Sequence, residues 1–324
     1  MLMIRTTLAF ALLACLTLTG CKKDPPPADW RAPAFGISYA EPCTLDENIA
    51  IDLADGATAV PVKLIDDRQI GGAIEAIATK MITDGKTTKA ADFAEQLKRE
   101  KCTLALAKPG SATLSASDIY SQCAPSVLVF SGIFKCGKCN NWHASPASGF
   151  VLTEDGVAVT NYHVMEKAAN ETFVVMTQQG KVYAVKEVLA ANMADDLAIV
   201  RLDLPAGVKL KPLALAPDAP VGSPVSLISH PDKRFYSLTT GIISRYHTMA
   251  KNNVMVPMVS ITADYARGSS GAPVLSDKGA VIGLVASTHS VYYSTEGGKQ
   301  ENLQMVFKQC IPAASLMKMI ETAK

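Results

Sequence analysis

The chain has 324 residues, with 31 Lys plus Arg against 30 Asp plus Glu and an apolar share of 48%. That apolar share suits one large or two ordinary globular domains and excludes a disordered chain. The near-balance of charge gives no electrostatic reason to expect a nucleic acid as partner.

The first residues read as an export leader. Arg5 precedes an apolar run from Leu8 to Leu18, which is followed by Leu18-Thr19-Gly20-Cys21, and the run is too short to remain as a membrane-spanning helix. Residues 21–42 carry Pro25-Pro26-Pro27 and almost no apolar periodicity, so they read as a stiff tether. Residues 43–109 form a small helical region of their own in this reading. Arg68 to Ile82 sets Ile70, Ile74, Ile77, Ala78, Met81 and Ile82 at helical spacing, and Lys89 to Lys101 does so with Ala90, Phe93, Ala94 and Leu97. Lys108-Pro109-Gly110-Ser111 marks a boundary, and Leu114 to Gln122 reads as a short helix capped by Ser115 or Ser117.

From Val127 onward the pattern turns to short β-branched runs closed by turns. The first set covers Val127–Phe130, Gly149–Leu152, Val157–Thr160, Thr172–Met176, Val182–Leu189 and Leu197–Leu202. The second covers Pro224–Ile228, Tyr236–Ile243, Met255–Ile261, Ala272–Leu275, Val281–Ala286 and Leu303–Phe307. Many short strands with close turns argue for β-barrels or a sandwich. A helix over Pro312 to Thr322, with Leu316, Met319 and Ile320 on one side, closes the chain in this reading.

Three motifs choose between those folds: Thr160-Asn161-Tyr162-His163-Val164, Asp195-Asp196-Leu197-Ala198-Ile199-Val200, and Arg267-Gly268-Ser269-Ser270-Gly271-Ala272-Pro273. In type, order and spacing they resemble the catalytic motifs of trypsin-like serine peptidases, closest to the bacterial HtrA and glutamyl-endopeptidase branches. The resemblance implies a mainly β fold over residues 110–324: two six-stranded antiparallel barrels, with His163 and Asp196 on the first and Ser270 on the second. It implies His163 as general base, Asp196 rather than Asp195 as its orienter, and Ser270 as nucleophile. The backbone N–H groups of Gly268 and Ser270 would form the oxyanion hole. Ser269 stands where zymogen-activated members carry an aspartate, so no N-terminal cleavage is expected to be needed. Gly271-Ala272-Pro273 replaces the commoner Gly-Gly-Pro or Gly-Ser-Pro, and the PDZ domain of full-length HtrA proteins is expected to be missing.

Selectivity stays open at this level. Asp264 lies six residues before Ser270, where a buried carboxylate would select a basic P1 side chain. Ser287 and His289 lie beside the strand expected to border substrate, and glutamyl endopeptidases use a histidine in that neighbourhood.

Leu-Thr-Gly-Cys resembles a bacterial lipobox, which implies acylation of Cys21 and a lipid anchor facing the periplasm. Lys22 in the following position favours the outer membrane. Of the eight cysteines, Cys15 would leave with the leader and Cys21 would take lipid. Cys43, Cys102, Cys123, Cys136, Cys139 and Cys310 remain as disulfide candidates for an exported protein. Cys102 with Cys123 and Cys136 with Cys139 are local closures, which would leave Cys43 with Cys310. Cys136-Gly137-Lys138-Cys139 lies between strands rather than opening a helix, against a thioredoxin-like role. His143 offers a third metal ligand, but no local fourth follows, so the expectation is a structural disulfide and no metal. His230-Pro231 reads as a structural turn.

The resulting expectation is an exported, lipid-anchored serine endopeptidase that acts on proteins or peptides without a cofactor. The alternative is a trypsin-fold binding or chaperone-like lipoprotein with little or no turnover. The sequence carries no signal of oligomeric state.

Overall fold

The computed structural model describes residues 64–251, 254–295 and 299–322. The expected leader and tether, with Cys21 and Cys43, lie outside the described residues.

Helix α1, Asp67–Thr83, starts where the Asp66 carboxylate accepts from the N–H groups of Arg68 and Gln69, and it carries Lys80 in its last turn. This is the charge order that a helix dipole favours. Its buried stripe of Ile70, Ile74, Ala78 and Met81 shares one apolar cluster with Val129, Ile133 and Phe150 of the barrels. The second expected helix does not form as one. Residues beyond Lys89 make two tight turns instead, Ala90–Phe93 and Gln96–Lys98. The backbone of Val188 recruits this segment: its N–H donates to Gln96 Oε1 at 2.7 Å and its carbonyl accepts from Arg99 at 2.6 Å. Phe93 is thereby fully buried, with its ring centroid 6.1 Å from that of Phe173. The N-terminal segment is an outer layer of the barrels, with no separate core of its own among the described residues.

Strand β1, Cys102–Leu104, follows. Helix α2, Ala116–Cys123, is capped by Ser115, whose side chain accepts from the Asp118 N–H while Asp118 reaches back to the Ser115 backbone. The first barrel is built from β2 (Val127–Lys135), β3 (Trp142–Val151), β4 (Val157–Thr160), β5 (Asn170–Met176), β6 (Val182–Asn192) and β7 (Leu197–Leu202). The one-turn helix α3 (Tyr162–Met165) sits between β4 and β5. The strands close in the order β2-β3-β4-β7-β6-β5. Strand alternation sorts their side chains: Leu128 and Phe130 enter a cluster drawn from all six strands, while Val127 and Val129 face the cluster shared with α1. Burial on both faces explains why these strands read as nearly unbroken apolar runs.

The second barrel comprises β8 (Pro224–Ser229), β9 (Ser237–Lys251), β10 (Val254–Ile261), β11 (Pro273–Ser276), β12 (Val281–Ser294) and β13 (Glu301–Pro312), closed in the order β10-β13-β12-β11-β8-β9. The fold is thus mainly β with two six-stranded antiparallel barrels. The β9–β10 and β12–β13 hairpins run well past the expected strand ends, through residues that are largely exposed. The closing helix is shorter than expected. Helix α4 covers Ala313–Met317, and the chain then straightens into β14, Ile320–Thr322. The Met319 carbonyl accepts from the Cys102 N–H at 3.0 Å, and β14 runs parallel to β1 with Cys102 opposite Ile320. Pairing with β1 takes the backbone groups that a longer helix would have bonded internally.

If Phe93 belongs to the barrel core, Phe93→Ala should lower global stability by about 3–5 kcal/mol in urea unfolding followed by tryptophan fluorescence. A barrel transition unchanged by that substitution would mean that the segment folds on its own.

Candidate active site

His163 lies on α3, directly after β4, and Asp196 lies in the turn that leads into β7. Asp196 has a φ of 57°, a left-handed conformation that costs a non-glycine residue on the order of 1 kcal/mol or more. Its carbonyl accepts from Asn161 Nδ2 at 3.0 Å, and its Oδ1 accepts from the His163 backbone N–H at 2.9 Å. The ring Nδ1 of His163 is 3.0 and 2.9 Å from the two carboxylate oxygens. A carboxylate at Nδ1 keeps the proton there and leaves the Nε2 lone pair free, the tautomer a general base needs. Asp196 is 14% exposed and His163 is 42% exposed, so the anion is shielded while the ring stays accessible. The neighbouring Asp195 is held elsewhere, its N–H donating to Asn192 Oδ1 at 2.9 Å, and burial raises its carboxyl pKa.

Ser270 sits on a tight turn before β11 that docks on the first barrel. Its carbonyl accepts from the Ser148 N–H at 2.9 Å, and Ser148 Oγ donates to the Gly268 carbonyl at 2.9 Å. Gly271 has a φ of 83°, and a Cβ there would fall 2.4 Å from Ser148 O and 2.6 Å from Thr160 Oγ1. Thr160 ends β4, three residues before His163, so the serine turn and the histidine meet at one barrel seam. Ser270 is joined to that seam through its backbone; among the described residues its side chain makes no hydrogen bond to His163. Such contacts are often loose before substrate binds.

The turn is also held from the other side. The Arg267 carbonyl accepts from the Asp232 N–H at 2.6 Å. In a planar trans peptide this directs the N–H of Gly268 away from Asp232. Gly268 has a φ of 101°, and a Cβ there would strike His230 O at 2.4 Å. Ser269 is fully buried and donates to Ser229 Oγ at 3.0 Å. A cavity of about 180 Å³ lies beside this turn, lined by Phe134, Ser145, Pro146, Asp232, Arg267 and Gly268 among others. A larger one, about 560 Å³, lies between α3 and the Lys89–Leu97 segment, with neither His163 nor Ser270 in its lining.

Several expected residues take other places. Asp264 is no buried pocket base: it is 86% exposed and pairs with Lys308 Nζ at 3.2 Å. The adjacent Tyr265 turns inward instead, its hydroxyl 2.8 Å from the carbonyls of both Ser287 and Gln309. His289 is exposed on β12, opposite Phe307. Ser287 is exposed as well, with its Oγ 3.0 Å from Gln309 Oε1. None of the expected disulfides that fall on described residues is closed. Cys102, Cys123, Cys136, Cys139 and Cys310 are free thiols, and Cys136 Sγ is 3.5 Å from Cys139 Sγ, beyond the bond length of about 2.05 Å. Cys123 packs instead against Gly279, and Cys310 against Tyr265.

Two barrels meeting along a seam, with a histidine–aspartate pair on one and a serine turn on the other, define a chymotrypsin-like double-barrel protein. Residues 147–284 match the model of the trypsin-like peptidase domain. It is 31% identical over 154 residues to a probable periplasmic serine endoprotease DegP-like of Halomonas elongata, covering 48% of this chain and 31% of that protein. With the chloroplastic protease Do-like 1 of Arabidopsis thaliana the identity is also 31%, over 156 residues, covering 46% of this chain and 35% of the relative. The chain thus spans about a third of the length of these curated relatives. Among solved structures, the HtrA-type protease AlgW with tripeptide superimposes with a TM-score of 0.50 at 20% identity, covering 63% of this chain and 62% of that one. A likeness at that identity speaks for the fold.

His230, read from sequence as part of a structural turn, is fully buried. Its Nδ1 accepts from the Tyr236 N–H at 3.0 Å, and its ring packs edge-on against Tyr236. Burial pulls its pKa down to about 4. The folded state therefore holds His230 neutral between about pH 6.5 and pH 4, where the unfolded chain takes up a proton. Its contribution is present above about pH 6.5 and is lost as pH falls toward 4, by about 3 kcal/mol in all. Denaturant unfolding at a series of pH values should show that loss in the wild type and a flatter profile in His230→Gln. Equal slopes would assign the loss to other groups.

Proposed function

We propose that the protein is a serine endopeptidase in which Ser270 attacks the peptide carbonyl, His163 takes its proton and Asp196 holds the imidazole. The observation that carries this reading is the pairing of Asp196 with Nδ1 of His163 at the seam on which the Ser270 turn is docked. Nε2 is then the free base. The serine oxygen bonds to the carbonyl carbon, the proton passes to Nε2, and the same proton protonates the leaving amine as the acyl-enzyme forms. Water reverses the sequence and releases the acid. The N–H groups of Gly268 and Ser270 would receive the developing oxyanion, and the hold of Asp232 on the Arg267 carbonyl supports that orientation at Gly268.

The site works without N-terminal cleavage. Ser269 fills the buried position beside Ser229 with a hydroxyl–hydroxyl bond, and no buried carboxylate there awaits a new N-terminus. The leader motif and the periplasmic naming of the relatives support export. Acylation of Cys21 would then hold the enzyme at a membrane surface, in the outer membrane by the Lys22 rule, with peptide or protein substrates on the periplasmic side. At P1 a small apolar residue is favoured over a basic one, because Asp264 faces outward against Lys308 while Tyr265 bridges the carbonyls of Ser287 and Gln309.

A fluorophosphonate probe should label the purified, folded protein, and Ser270→Ala should remove the label completely. His163→Ala should reduce labelling by at least about a hundredfold. A folded wild type that takes no label would instead support the binding or chaperone-like reading. On a panel of fluorogenic peptides varied at P1, alanine or valine should exceed arginine or lysine, and Asp264→Asn should leave that ranking unchanged. A basic preference abolished by Asp264→Asn would restore the tryptic pocket.

A further inference from the structure

The β2–β3 hairpin ends in Cys136-Gly137-Lys138-Cys139-Asn140-Asn141, with His143 two positions further on in β3. Cys136 Sγ and Cys139 Sγ are 3.5 Å apart, Cys139 Sγ and His143 Nε2 are 3.1 Å apart, and all three ligand atoms lie within 4.8 Å of one another. Two sulfurs sharing a tetrahedral zinc would be about 3.8 Å apart and a sulfur–nitrogen pair about 3.6 Å, given bonds of about 2.3 and 2.0–2.1 Å. The sulfur pair is within about 0.3 Å of its value and far from a disulfide, and the Cys139–His143 pair, shorter by about 0.5 Å, needs only a small opening to admit the ion.

A carboxylate lies behind the imidazole. Glu75 of α1 holds an oxygen 3.8 Å from His143 Nδ1, and the same oxygen is fixed by the Ala144 N–H at 3.0 Å. The Phe134 ring lies against the histidine ring, with centroids 5.9 Å apart. One ring nitrogen thus faces the sulfurs and the other a carboxylate, the usual support of a metal-bound histidine. The carboxylate comes from a helix some seventy positions earlier in sequence, where local ligand spacing does not reveal it.

We infer that Cys136, Cys139 and His143 bind one zinc-class divalent ion, with the fourth position open to water and Glu75 as a positioning residue. Two thiolates and an imidazole select a borderline-soft ion over magnesium or calcium. Binding releases the two thiol protons to solvent and takes the imidazole in its neutral form; no electrons are transferred. The ion would tie α1 to the tip of the hairpin whose strands supply Phe134, Ser145 and Pro146 to the small cavity beside Gly268. The site is independent of the protease reading, and Ser270→Ala protein should bind metal as the wild type does.

The test is titration of reduced, purified full-chain protein with Co(II), followed by displacement with Zn(II). A stoichiometry of one with thiolate-to-cobalt and tetrahedral ligand-field bands is expected. Cys136→Ser and His143→Ala should each weaken binding at least tenfold, and Glu75→Gln about tenfold to a hundredfold, with circular dichroism checking that each variant is folded. No stoichiometric binding by folded wild type, or a cobalt spectrum unchanged in Cys136→Ser, would overturn the inference. A Cys136–Cys139 disulfide in protein isolated from its native compartment would overturn it equally.

Discussion

The contact of the serine turn with Ser148 is the constraint on which the site depends. Two barrels can each close on their own hydrogen bonds, yet neither then fixes where a residue on one lies relative to a residue on the other. Ser148 supplies that link with two bonds, from its N–H to the Ser270 carbonyl and from its Oγ to the Gly268 carbonyl. The approach is so close that a side chain at position 271 would enter the backbone of β3. Glycine there answers to contact between barrels as much as to a positive φ.

From that contact the structure extends outward in layers. The loop from His230 to Tyr236 has three non-glycine residues at positive φ, Asp232, Lys233 and Tyr236, and such strain persists only where surroundings over-determine it. The surroundings here are a buried imidazole that receives the Tyr236 N–H, the Arg267 carbonyl that receives the Asp232 N–H, and α1, whose Asp67 carboxylate receives the Phe235 N–H at 2.9 Å. The N-terminal helix is thus two hydrogen-bonded steps from the serine turn. A segment with no catalytic residue types of its own helps to fix the backbone beside Ser270.

The barrels were legible in the sequence because their strands alternate or are buried on both faces, and all twelve expected strands are present. The histidine–aspartate pair was legible because its chemistry is carried by neighbours in sequence order. What escaped had no local signal. Gln96 and Arg99 unwind the expected second helix by bonding to Val188, a partner nearly a hundred positions away. The exposed halves of β9, β12 and β13 have mixed polarity and no burial period to betray them. Asp264 and Tyr265 are adjacent, and which of the two turns inward depends on Lys308 and on the carbonyls of Ser287 and Gln309. Those groups meet only in the folded barrel. The cysteine spacing was visible, but sulfur separation is a property of the hairpin tip, not of the intervening letters.

The short parallel pair of β1 and β14 has a consequence for the order of assembly. Lys101 and Glu321, 220 positions apart, approach to 3.4 Å at one edge of it, while among the described residues β1 has no other strand neighbour. Contacts so distant in sequence form late, since loop closure must precede any return from them. During synthesis or translocation, residues 102–104 stay without their partner until position 320 has emerged. Both barrels can close before that moment. The clasp then reports that the chain has been delivered through residue 322.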